Sequence, residues 1–141
     1  MTPSTTSPTS QAAALLSSKD KALACVRAAL DKKAENLKAL DVSELSGFTD
    51  VFVICNGASD RQVQAIADSI ESAMIAQNQE VLSIEGYGDG RWVLMDLGDV
   101  VIHIFLDALR DYYDLESLWA DAPSLKIPAE YYGPGATHLN S

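Results

Sequence analysis

The chain has 141 residues, 48% of them hydrophobic and 21% charged, which gives room for one domain with a sizeable core and makes disorder the exception. Its longest apolar run, Val100 to Leu106, is interrupted by His103 and falls well short of the roughly 20 residues that a membrane span requires. A formal net charge of −10 argues against nucleic acid as the main partner, because phosphate binding is driven by neutralising cations.

The charge is uneven. Ser18 to Lys38 carries six basic and three acidic residues, whereas Glu85 to Asp121 carries nine acidic residues against Arg91 and Arg110. An anionic surface of that kind speeds encounter with a basic protein.

Residues 1–17 carry no charge and are rich in Ser, Thr and Pro. They have neither the basic start and apolar stretch of a secretion signal nor the arginines of a transit peptide, so a disordered tail is expected ahead of a domain spanning 18–122. The same reasoning leans bacterial and puts the protein in a reducing cytoplasm, with Cys25 and Cys55 as free core thiols.

From Ser18 onward Leu23, Val26, Leu30 and Leu37 recur at helical spacing with Ala34 between them, which predicts an amphipathic helix ending before Asp41. Leu40 to Val42 reads as a short strand and Ser43 to Asp50 as a turn. Val51 to Cys55 is a β-branched and aromatic run, as in strands buried on both faces. Asn56-Gly57-Ala58 breaks it, and Ser59 with Gln62 predicts a capping box at the start of a helix whose buried stripe is Val63, Ile66, Ala67, Ile70 and Met74. With a further strand at Glu80 to Glu85, this makes a right-handed βαβ unit.

Gly86 to Gly90 is a glycine-rich turn. Strands from Arg91 to Leu97 and from Val100 to Phe105 follow, close enough in sequence to pair as an antiparallel meander. Short helices are expected at Ala108 to Tyr113 and Leu115 to Trp119, and residues 123–141 read as an irregular tail. The order α-β-β-α-β-β-β-α predicts a single-domain α/β (α+β) fold with a mixed five-stranded sheet and helices mainly on one face. Alternation in the last strand sends Val100, Ile102 and Ile104 to one side and Val101, His103 and Phe105 to the other. Two long helices cover one side. The other is closed either by the last helix and tail or by a partner.

Catalytic patterns are weak. Gly57-Ala58-Ser59 stands where phosphate loops stand, but it lacks the Lys-Ser/Thr pair of a Walker loop and the three glycines of a dinucleotide fingerprint, so it reads as a capping turn. A nucleotidyltransferase needs two carboxylates one residue apart on a strand to hold Mg²⁺. No two aspartates here have that spacing, and Asp114 with Glu116 falls in a helical segment. His103, Cys25 and Cys55 form a poor zinc set. His103 can pair with Asp96 or Asp99, but no nucleophile accompanies it. No enzyme activity, metal or cofactor is expected. Trp92, Phe105, Tyr112, Tyr113 and Trp119 all fall in the acidic C-terminal third, and aromatic residues ringed by charge are the usual anchors of protein interfaces.

Three blocks resemble one family. Asp50-Val51-Phe52-Val53-Ile54-Cys55 with Ser59, Arg61-Gln62-Val63 and Ala65-Ile66-Ala67-Asp68 is similar to the first half of the ribosomal silencing factor family, also called Iojap. Gly86 and the run Trp92 to Phe105 resemble its central block. Arg110, Tyr113-Asp114-Leu115-Glu116 and Leu118-Trp119 resemble its C-terminal signature. The resemblance covers about Lys21 to Ala122 and implies a nucleotidyltransferase-like fold without the catalytic carboxylates. It implies binding to ribosomal protein fourteen of the large subunit, steric blockage of subunit joining, repression of translation when nutrients are scarce, and self-association as a homodimer. On that basis Trp92, His103, Phe105, Tyr113 and Trp119 are expected as aromatic anchors. Asp96, Asp99 and Glu116 are expected as charge partners, with Arg110 on the same surface.

Overall fold

A computed structural model describes residues 16–132. The expected disordered start therefore falls almost wholly outside the described residues, as does the end of the expected tail.

The first helix, α1 (Ser18–Asp31), begins where the Ser17 hydroxyl accepts a hydrogen bond from the Asp20 amide at 3.0 Å, capping an otherwise unpaired donor. It ends earlier than the apolar spacing predicts. Lys33 adopts φ 63 and its amide donates to the Leu30 carbonyl, so the chain turns without a glycine or proline to announce it. Leu37, predicted on the helix, lies instead on strand β1 (Glu35–Asp41). A register irregularity between Glu35 and Lys38 accompanies the φ of 50 at Asn36.

Strand β2 (Val51–Gly57) is buried along its whole length. The Ser59 hydroxyl then accepts from the Gln62 amide at 3.1 Å and starts α2 (Asp60–Ala76). Gln62 Oε1 accepts from the Ala58 amide, so the predicted capping box forms with its return bond one residue further back. After β3 (Ser83–Glu85), the turn through Gly86 leads to β4 (Trp92–Asp96) and β5 (Val100–Leu106). Gly86 has φ +80, and a Cβ there would stand 2.1 Å from the Trp92 carbonyl oxygen, so only glycine fits.

The sheet order is β1-β2-β5-β4-β3. The predicted meander is present, since β3, β4 and β5 pair antiparallel in turn. The βαβ unit takes a split form: β3 runs parallel to β2, but α2 carries the chain to the far edge of the sheet, with β5 and β4 in between. The parallel neighbour of β2 is β5, with Val51 opposite Val100 and Ile54 opposite His103. The mixed sheet and its single hydrophobic domain otherwise stand as expected.

The two sides of the sheet have separate cores. Cys25, Val26 and Ala29 of α1 and Val63, Ile66, Ile70 and Met74 of α2 pack on Val53, Cys55, Met95, Val100, Ile102 and Ile104. Leu40, Phe52, Ile54, Val101 and Phe105 face the other way. Two short helices, α3 (Asp107–Tyr113) and α4 (Leu115–Leu118), lie over that second side and contribute Leu109 and Leu115, followed by Trp119 and Ala122. They are joined through Asp114, which reverses the chain at φ 46.

Residues 123–132 have little regular structure beyond a 3-10 turn at Ala129–Tyr132, yet they are fastened to the domain. The Asp41 amide donates to the Pro123 carbonyl and the Leu125 amide to the Ala39 carbonyl, each at 2.8 Å, so 123–125 lines the outer edge of β1. Leu125, Ile127 and Tyr131 pack against the helix-side core, and the Arg27 guanidinium lies 5.7 Å from the centre of the Tyr131 ring.

Candidate partner-binding face

The alternation read from β5 places Phe105 and His103 on the side away from α1 and α2. Cross-strand pairing then sets Trp92 opposite Phe105 and Leu94 opposite His103. Trp92 stacks on Phe105, ring centres 5.1 Å apart, and packs at a 40° tilt against Tyr113 of α3, ring centres 4.5 Å apart. Phe52 of β2 meets His103 edge-on at 4.7 Å and Trp119 at 5.3 Å. Five of the expected site residues, Trp92, His103, Phe105, Tyr113 and Trp119, thus form one aromatic cluster with Phe52. Phe52 was not singled out beforehand, although its alternation with Val51 and Val53 carries the signal.

Depth differs within the cluster. Phe105 is wholly buried and His103 nearly so, whereas Tyr113 is 44% exposed and its neighbours Tyr112 and Leu118 are 78% and 72% exposed. Tyr112, Tyr113 and Leu118 are thus open to solvent and Trp92 and Trp119 partly so, while Phe105 and His103 are buried.

The hydrogen-bond partner of His103 is Trp92, rather than the neighbouring carboxylate expected. Indole Nε1–H donates to His103 Nδ1 at 3.0 Å, which requires that nitrogen to be an unprotonated acceptor. Burial pushes the imidazole pKa down to about 4, so His103 is neutral at physiological pH and acts as part of the aromatic packing.

The remaining expected residues separate. Asp96 Oδ1 accepts from the Gly98 amide at 2.8 Å and closes the β4–β5 turn. Asp99 reaches toward α1, pairing with Lys21 Nζ at 2.8 Å and accepting from the Ser18 hydroxyl. Burial raises its pKa, but these bonds outweigh it and hold the carboxyl below its usual range. Arg110 is buried and holds Glu116 in a two-pronged ion pair, with Nε and Nη2 each 3.1 Å from a carboxylate oxygen. Arg110 Nη1 donates to the Asn56 side-chain oxygen and the Asn36 carbonyl, and Lys38 lies 3.0 Å from Glu116. Hydrogen bonds from Arg110, opposed by partial burial, and from Lys38 bring the Glu116 carboxyl to about 2.

All three expected acidic contacts are therefore engaged within the chain, Asp99 and Glu116 in ion pairs and Asp96 in a turn. Exposed Asp107, Asp111, Asp114 and Asp121, on or beside α3 and α4, are free of ion pairs among the described residues. They leave α3, α4 and their flanks negatively charged.

Among the described residues no group of three or more His, Cys, Asp or Glu side chains is placed to hold a metal ion. Burial raises both thiols to about 12, which leaves Cys25 and Cys55 as unreactive packing groups. No described helix is long and apolar enough to cross a membrane.

Residues 16–138 match the model of the family described as ribosomal silencing factor during starvation. A ribosomal silencing factor of Halalkalibacterium halodurans is 48% identical over 102 residues, covering 72% of this chain and 87% of its relative. One from Bacillus subtilis is 50% identical over 93 residues, covering 66% and 79%. An X-ray structure of a Chromobacterium violaceum protein superposes with a TM-score of 0.73 at 34% identity, covering 83% of this chain and 98% of that one. With its sheet, its paired helices and nearly all its described length accounted for by these matches, the chain belongs to the ribosomal silencing factor family.

Proposed function

We propose that this protein is a non-catalytic repressor of translation in the cytoplasm. It docks on ribosomal protein fourteen of the large subunit and prevents the small subunit from joining, most of all when nutrients are limiting. The observation that carries this reading, given the family, is the aromatic face. It combines exposed Tyr112, Tyr113 and Leu118 with nearby aspartates that form no ion pair among the described residues, and a buried sheet core lies behind it. A cluster of aromatic anchors surrounded by anionic side chains suits a basic, β-rich partner. Roughly 1,600 Å² of total buried surface is enough for a stable complex of this kind. Trp92, Tyr113 and Trp119 contact the partner in this reading, and His103 and Phe105 back them. Repression needs only occupancy, with no reaction, metal or cofactor.

Co-sedimentation with purified large subunits tests the reading. Retention at modest ionic strength that falls steeply with added salt supports it, and loss of retention on alanine substitution at Trp92 and Trp119 locates the face. A chain that stays in the supernatant overturns it. A second copy of the chain is the competing occupant of this face, and sedimentation velocity of the free protein across concentration reads that equilibrium.

A further inference from the structure

A nearly buried arginine, Arg110, sits on the short helix that also carries exposed Tyr112 and Tyr113. α3 is seven residues long and α4 four, and helices that short have no stability of their own in water. Apolar contact through Leu109, Leu115 and Trp119 presses them on the sheet but is non-directional. Direction comes from one polar network. Arg110 of α3 reaches the end of β2 through Asn56, the bulged start of β1 through the Asn36 carbonyl, and α4 through Glu116. Asn56 returns a bond to the first residue of α3, donating to Asp107 Oδ1 at 2.8 Å. Lys38 of β1 clamps Glu116 from outside at 3.0 Å. Four elements meet at one guanidinium.

We infer that Arg110 and Glu116 are positioning residues, which serve docking by locking α3 and α4 in the pose that packs Tyr113 against Trp92, and that they do not touch the partner. This rests on the docking function proposed above and assigns that site its internal latch. The geometry favours it over direct contact for two reasons. Arg110 is 5% exposed, and four hydrogen bonds already engage its guanidinium. Glu116 has both carboxylate oxygens on Arg110 and one of them also on Lys38, so little of its charge is left for a partner. A planar fork also fixes orientation in a way a point charge cannot, so Lys is no substitute for Arg110.

The test compares the full chain with Glu116→Gln, which keeps the side-chain shape and removes the charge. Retention on purified large subunits is read beside the near-ultraviolet circular dichroism of the free protein, a signal dominated by the Trp92, Tyr113 and Trp119 packing. Retention is expected to weaken about tenfold while far-ultraviolet dichroism holds and the near-ultraviolet bands diminish, as expected when an anchor cluster loses its order. Weakened retention with unchanged near-ultraviolet bands means that Glu116 contacts the partner directly and overturns the inference. Undiminished retention overturns it too. If Glu116→Gln does not fold, Lys38→Met serves: Lys38 is exposed, the Arg110 fork remains, and a loss of two- to threefold in affinity with partial loss of the aromatic bands is expected by the same reasoning. An unmoved Lys38→Met then overturns the inference. Failure of the unaltered chain to bind large subunits instead overturns the docking function itself, which separates the two claims.

Discussion

Acidification to pH 5 isolates the contribution of His103. Its imidazole is nearly buried between β2 and β4, accepts a hydrogen bond from Trp92 and has its pKa pushed down to about 4 from 6.5 by burial. A group whose folded pKa lies below its unfolded value binds more protons when unfolded, so stability is full above pH 6.5 and is lost as pH falls toward 4. The pKa gap implies a loss of about 2 kcal/mol between pH 7.5 and pH 5, since each unit is worth about 1.4 kcal/mol over the range where only the unfolded state protonates. For a domain of this size that lowers the melting midpoint by roughly 10 °C. The ion-paired carboxylates add little in this window, because Glu116 and Asp99 have lowered folded pKa values and lose their stabilisation only as pH falls through their unfolded values of 4.5 and 3.8, below pH 5. Urea unfolding followed by Trp fluorescence at half-unit pH steps measures the curve, with His103→Gln as the comparison that removes the titration. A flat wild-type curve between pH 7 and 5, or an equal slope in His103→Gln, refutes the burial argument.

Two further perturbations probe the frame. Gly86→Ala places a Cβ against the Trp92 carbonyl at a positive φ and is expected to cost about 2 kcal/mol or more in urea unfolding, with a loss under 0.5 kcal/mol contradicting the account of that turn. Ending the chain after Ala122 strips Leu125, Ile127 and Tyr131 from the core and bares the β1 edge. Stability should fall by about 3 kcal/mol and self-association should appear with concentration, as expected of an unguarded strand edge. Light scattering that shows an unchanged molar mass together with an unchanged melting midpoint removes any role for that segment.

Much of the frame was legible because apolar patterning reports which side of an element is buried. The two faces of β5, the buried stripe of α2 and the Ser59–Gln62 cap follow from period and hydrogen-bonding chemistry alone. The end of α1 was not legible, because Lys33 turns the chain in a left-handed conformation that non-glycine residues seldom adopt, while Leu37 continues the helical spacing by coincidence. The place of β3 was not legible, because a crossover helix specifies a return to the sheet but not how many strands it passes. At the candidate site, the aromatic members were visible as a cluster of residue types. What each acidic residue does was not, since the partners of Asp99 and Glu116 are set by tertiary contacts from α1, β1 and α3. His103 showed its alternation in the sequence, but its indole partner depends on the β4–β5 register.

The central claim is occupancy without chemistry, and subunit joining measures it most directly. Large subunits preincubated with the chain and then mixed with small subunits should yield fewer joined ribosomes on a sucrose gradient, in proportion to the chain retained on the large-subunit peak and with no nucleotide added. Joined ribosomes at undiminished yield on large subunits that carry the chain would contradict it.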